Sequence, residues 1–120
     1  MQRSFLLGIG IALAAIGAGG ALAAAKGTNA AAPDRANGKH VWDRWCAPCH
    51  ARGPGHPGTQ SLEVKYHGTP PAALEERTDL TPRITAMYVR EGVDLMPFFR
   101  KTEISDKDLR DLSAYLDKGK

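Results

Sequence analysis

Cysteine is scarce in this chain. Its 120 residues hold only two, Cys46 and Cys49, so the staples of a disulfide-built small fold are excluded. Strand-like alternation is also missing, and no internal repeat is visible, which argues against a β-fold and a solenoid. Neither sign of charge dominates: 16 Lys and Arg stand against 13 Asp and Glu, for a net charge of +3. The basic residues are spread among acidic neighbours, so nothing resembles a nucleic-acid-binding stripe. Long apolar runs are confined to the N-terminus.

That N-terminus reads as an export signal. Met1-Gln2-Arg3 is a short positive start, Phe5 to Ile16 is apolar, and Ala21-Leu22-Ala23 and Ala23-Ala24-Ala25 are small-x-small sites. This is the layout of a secretory signal peptide over residues 1–25, cleaved after Ala23 or Ala25. Phe5 to Ala25 also reaches the roughly 20 residues that span a bilayer. It is rich in Gly and Ala toward its end, however, and no basic stop signal follows. The expected mature chain, residues 26–120, is one small periplasmic domain with no membrane insertion after cleavage. A chain this small buries little surface and is marginal alone, so a large apolar group held at its centre relieves a real problem.

Cys46-Ala47-Pro48-Cys49-His50 supplies a way to hold one. It reads as C-x-x-C-H, the attachment site of a c-type haem. Two thiols one turn apart can reach both vinyl groups of one porphyrin, and the adjacent His50 then offers an imidazole nitrogen to the iron. Two rivals share these residues. Trp45-Cys46-Ala47-Pro48-Cys49 looks like the W-C-x-P-C site of thioredoxin-like dithiol oxidoreductases, but that fold needs a strand before the first cysteine. Lys39, His40, Asp43 and Arg44 do not alternate as one. Zinc needs further ligands, and no second Cys or His pair is spaced for it.

Lys26 to Pro33 reads as a flexible lead. A first helix is expected from Asp34, its N-cap, to Cys46, with Val41, Trp42 and Trp45 apolar at helical spacing. Gly38 inside it weakens it by up to about 1 kcal/mol relative to Ala, unless another helix crosses there. Ala51 to Thr59 is dense in Gly and Pro and reads as a loop. Ser61 to Gly68 is ambiguous, and Pro70-Pro71 is read as opening a short helix through Arg77. Thr81-Pro82 starts a helix to about Arg90, with Ile84, Met87 and Tyr88 inward and Gly92 past its end. Gly92 to Thr102 is a loop. Ser105 to Asp117 is the clearest helix, capped by Ser105 and faced by Leu109, Leu112 and Leu116.

A second iron ligand is expected from the far side of the haem. Met96 is the candidate, because it lies in the loop between two helices and Pro97 stiffens that loop. Met87 reads as core, and His40, His56 and His67 as surface residues. Phe98 and Phe99 next to Met96 either pack inward over the haem or form a docking surface flanked by Arg100 and Lys101.

The ordered set Gly38-x-x-x-Trp42-x-x-x-Cys46, Cys49-His50, Met96-Pro97 and Leu112-Ser113-Ala114-Tyr115-Leu116 resembles class I cytochrome c. The resemblance covers essentially all the mature chain. It implies an all-α fold of three to five short helices wrapped around one covalently bound haem c, with the N- and C-terminal helices crossing. Gly38 and Trp42 should then face Leu112 and Tyr115. It also implies a proline carbonyl that accepts a hydrogen bond from the second nitrogen of His50, with Pro57 the candidate and Pro54 the alternative. Such a protein transfers single electrons and is not itself an enzyme.

A closer likeness lies in Gly58-Thr59, Lys65-Tyr66, Pro71 to Leu80 and Met96 to Glu103. These blocks resemble small periplasmic cytochromes of flavocytochromes of the 4-cresol dehydrogenase type. The likeness implies an electron-donating flavoprotein dehydrogenase that oxidises a phenol, and a further acceptor downstream. The alternative is a free soluble carrier of a respiratory chain.

Overall fold

The computed structural model describes residues 31–119, and the signal expected over residues 1–25 lies outside them. The Asp34 carboxylate accepts from the Ala36 and Asn37 amides, two of the donors a helix start leaves without partners. Helix α1 follows over Arg35–Val41. The chain then widens into a π-helical turn, Trp42–Cys46, where the Ala47 amide donates to the Trp42 carbonyl. It tightens again as α2, Ala47–His50. The extra residue in the wide turn shifts the phase of the helix beyond it. Trp42 therefore stays in the core while Cys49 is exposed.

Helix α3 spans Pro57–Tyr66, so the loop expected to reach Thr59 ends earlier. Proline's missing N–H and fixed φ suit the first helical position, and Pro57 starts a helix where the density of Gly and Pro reads as a loop. One 3₁₀ turn, Leu74–Glu76, stands where a longer helix through Arg77 was expected. Helix α4 covers Pro82–Glu91, capped by Thr81, and α5 covers Asp106–Leu116, capped by Ser105. Among the described residues there is no strand, only an isolated bridge between Val93 and Met96. None of their helices is long and apolar enough to cross a membrane. The all-α class is as expected.

Helix α5 packs against α1 and α4. The α1–α5 crossing is close because residue 38 has no side chain. A Cβ there would lie 2.2 Å from the Asp111 carbonyl oxygen and 2.8 Å from Tyr115 Cβ. The Trp42 and Tyr115 rings meet at 6.4 Å between centroids, and Trp42 and Leu112 are fully buried. Val41, Leu80, Val89, Ile104, Leu109 and Leu116 complete the core. The crossing expected of Gly38 and Trp42 with Leu112 and Tyr115 is present.

The same interface holds a buried charge. Asp111 accepts from the Asp34 amide at 2.9 Å, from Asn37 Nδ2 at 2.9 Å and from Lys107 Nζ at 2.7 Å. Burial pushes its carboxyl up, but the donors of Lys107, Asp34 and Asn37 outweigh that and hold it at about 2. Arg35 donates to the carbonyls of Ala114 and Tyr115 at the end of α5, where a cation is favoured.

Helix α4 corrects one expectation. Met87 and Tyr88 are 41% and 37% exposed, and Thr85 and Val89 are the buried pair. Packing on α5 turns Thr85 and Val89 inward, one turn apart; Ile84 packs against the core as expected, while Met87 and Tyr88 face outward.

Candidate functional site

Cys46, Cys49 and His50 lie on one continuous helical stretch made of the π turn and α2. Cys46 is half-buried against the core. Burial, with Cys49 close by, pushes its thiol up to about 12. Dithiol exchange needs a thiol with a lowered pKa, so the structure does not favour the thioredoxin-like reading. Among the described residues no group of three or more His, Cys, Asp or Glu side chains is placed to hold a metal ion, which leaves the zinc reading without a site there.

The His50 ring is half-buried, and burial lowers its pKa. Burial thus favours the neutral ring, the form that ligates metals. Its Nδ1 is buried and has no hydrogen-bond partner. Gly58, in the first turn of α3, shows how closely the ring is packed. A Cβ at residue 58 would lie 2.6 Å from His50 Cε1, 2.8 Å from Nδ1 and 2.8 Å from the Cys49 carbonyl oxygen. The helix backbone therefore lies flush on the imidazole edge. Two bonds fix the loop between α2 and α3. His56 Nδ1 donates to the Pro48 carbonyl at 3.0 Å, and Thr59 Oγ1 donates to the Ala51 carbonyl at 2.9 Å. His56 is thus a brace and not a plain surface residue, whereas His40 and His67 are exposed.

The bond expected from His50 to the Pro57 carbonyl is not formed. That carbonyl lies in the first turn of α3 and accepts from Ser61 Oγ at 2.9 Å. Pro54 is in an exposed turn.

Met96 is half-buried in the loop after α4. Its backbone exchanges both hydrogen bonds with Val93, at 3.1 and 2.8 Å. Gly92 has a φ of 70°, and a Cβ there would lie 2.7 Å from the Met96 carbonyl oxygen and 2.9 Å from the Phe98 amide. Backbone shape and lack of room both require glycine. The two phenylalanines after Met96 part company. Phe99 turns inward and meets Trp45 edge-on at 5.7 Å, while Phe98 is 60% exposed. Leu95 is fully in solvent.

Sequence reasoning passed over Arg90 and Asp111, and it gave Gly58 no contact with the imidazole. Gly58 was hidden in a run of turn residues, although a glycine eight residues after His50 in the first turn of a proline-started helix is a usable sign of close approach. Asp111 had its sign in the i, i+4 spacing to Lys107. Nothing local marked Arg90.

The donor set fits a covalently attached haem. Two thiols stand one turn apart, an imidazole lies beside them, and a glycine edge leaves that ring just enough room. A thioether rides on a braced loop. A family model described as "Cytochrome C oxidase, cbb3-type, subunit III" matches residues 33–116. No curated protein matches the chain.

Proposed function

From the premise that this chain belongs to that cytochrome c family, and so is a haem c electron-transfer protein, we propose roles for four residues. Cys46 and Cys49 would hold the haem by thioether bonds, and His50 and Met96 would supply the ligands to its iron. Haem c supplies reversible one-electron exchange at iron. The residues of this chain position and shield it. Helix α3 restrains the His50 ring through Gly58, and burial favours its neutral form. The Val93–Met96 pairing presents the thioether, a ligand that favours reduced iron and raises the potential relative to a second imidazole. The observation that carries the reading is the His50 ring: half-buried, wedged against a glycine, and next to two thiols.

The donor in this proposal is a flavin-dependent dehydrogenase that oxidises a phenol. Electrons pass singly from it to the haem and then to a further acceptor, all in the periplasm. The likeness of Pro71 to Leu80 and Met96 to Glu103 to flavocytochrome subunits supports the donor. The exposed Leu95 and Phe98 flanking Met96 also support it, since apolar side chains in a polar surround suit a protein interface.

The test is the absorption spectrum of the protein purified gently from its host, at low and high salt. Haem bands with a co-purifying flavin are expected. Haem bands alone at both salts would leave a free carrier and remove the flavoprotein partner. A preparation that never binds haem would overturn the site itself.

A further inference from the structure

The loop that carries Met96 is fastened to the body of the protein at two points. At its start the Gly92 amide donates to the Tyr88 carbonyl at 2.9 Å. At its end the Phe99 amide donates to the Val89 carbonyl at 2.8 Å. Met96's own backbone bonds run to Val93, inside the loop, so they move with it and cannot anchor it. One side chain completes the second fastening. Arg90, in the last turn of α4, donates from Nη1 to the Phe99 carbonyl at 3.0 Å and from Nη2 to Asp106 Oδ1 at 3.0 Å. Asp106 is the first residue of α5, and Lys101 Nζ braces its other oxygen at 2.7 Å. A single guanidinium therefore ties α4, the end of the loop and the start of α5. Its side chain is 23% exposed, and its bond to the Phe99 carbonyl is part-buried, so water screens that bond less than it would on the open surface.

The geometry points to Arg90 as the positioning residue for Met96. By holding the Phe99 carbonyl it limits how far the loop opens, and so how readily the thioether leaves the iron. This rests on Met96 being an iron ligand, as proposed for the site. Without Arg90 the loop keeps its internal Val93–Met96 pairing and its amide bond to Val89, and swings more freely about Gly92 and Phe99. Protein stability and ligand hold are then separable.

The experiment uses the haem-bearing full chain and three variants. Arg90→Met keeps an unbranched apolar side chain and removes every donor. Arg90→Lys keeps the charge and loses the fork. Met96→Ala reports on the ligand itself. For each, carbon monoxide binding to the reduced protein, reduction potential and thermal stability are measured. Arg90→Met is expected to bind carbon monoxide about tenfold faster than the parent, the effect of losing a bond to a charged donor. Its potential should move toward that of Met96→Ala, with Arg90→Lys between. A fall in melting temperature with carbon monoxide binding and potential unchanged would make Arg90 merely structural and overturn the inference. Met96→Ala separates the two claims. If it gains no carbon monoxide binding, Met96 is not the ligand and Arg90 has nothing to position. If it gains binding and Arg90→Met does not, the ligand stands and the inference falls. Should Arg90→Met not fold, Arg90→Lys, which loses the fork that holds the Phe99 carbonyl and Asp106 together, is expected to shift binding the same way, and no shift there also overturns the inference.

Discussion

A single methyl group at residue 58 meets more resistance than most surface changes. Its carbon would lie 2.6 Å from His50 Cε1 and 2.8 Å from the Cys49 carbonyl oxygen, and backbone cannot swing aside as a flexible side chain does. Gly58→Ala is therefore expected to lower stability by about 1–3 kcal/mol, the usual range for forced overpacking. It should also change the reduction potential, because the ring must tilt. Thermal unfolding and a redox titration check this. An unaltered potential and melting temperature would mean that α3 yields instead. At this scale the sequence was partly legible. Cys46, Cys49, His50 and Met96 stand out because their chemistry is rare in any chain. Gly58 does not, because glycine has many uses and only contact with an imidazole from another helix gives it this one.

Two helices set the next scale. The crossing of α1 and α5 depends on Gly38, where an added Cβ would lie 2.2 Å from the Asp111 carbonyl oxygen. Gly38→Ala improves local helix propensity by about 1 kcal/mol. It is nevertheless expected to destabilise by roughly 2 kcal/mol net, since the helices must separate. Denaturant unfolding decides the sign, and a stabilised variant would disprove the close crossing. The same crossing fixes the response to acid. The folded protein holds the Asp111 carboxyl at about 2, below its ordinary 3.8. A lowered folded value gives stability that is present above about pH 4 and lost as pH falls toward 2. The amount is about 2 kcal/mol. Asp111→Asn should flatten that acid slope in a pH series of unfolding curves, and an unchanged slope would assign it to other carboxylates. The starts of α4 and α5 were legible at this scale, because Thr81-Pro82 and Ser105 act within a few residues, whereas Pro57 and Pro70-Pro71 were misread. The inward face of α4 was legible only in part. Met87 and Tyr88 look like core by spacing, and only the seating of α4 on α5 turned Thr85 and Val89 inward.

At the largest scale, the core among the described residues is thin. Helix α3 buries none of its residues, and Val64, Leu95 and Phe98 are among the exposed large apolar residues. Small chains with little buried surface lean on a bound group for stability. Replacing both Cys46 and Cys49 with alanine is therefore expected to abolish covalent haem and most of the cooperative thermal transition. Circular dichroism of the purified protein tests this, and a sharp transition at the parent's temperature would show that the polypeptide folds unaided. Docking belongs at this scale too. Phe98→Ser is expected to slow electron transfer from the partner several-fold at unchanged potential, whereas Phe99→Ser should act through stability, because Phe99 packs on Trp45. Equal transfer rates in Phe98→Ser and the parent would remove Phe98 from the interface.

By itself the sequence determined the helical class and most of the segments, and it singled out the candidate site residues. C-x-x-C-H, Met96-Pro97 and the capped helices at Thr81 and Ser105 carry their meaning within a handful of residues, where covalent geometry and local hydrogen bonding decide. Tertiary structure alone decided which faces turn inward, that Phe98 and Phe99 point opposite ways, and that Gly58, Arg90 and Asp111 matter. Each of those depends on an atom brought near by a distant part of the chain. The α1–α5 crossing, for one, joins Asn37 to Asp111, and no local pattern records such a meeting.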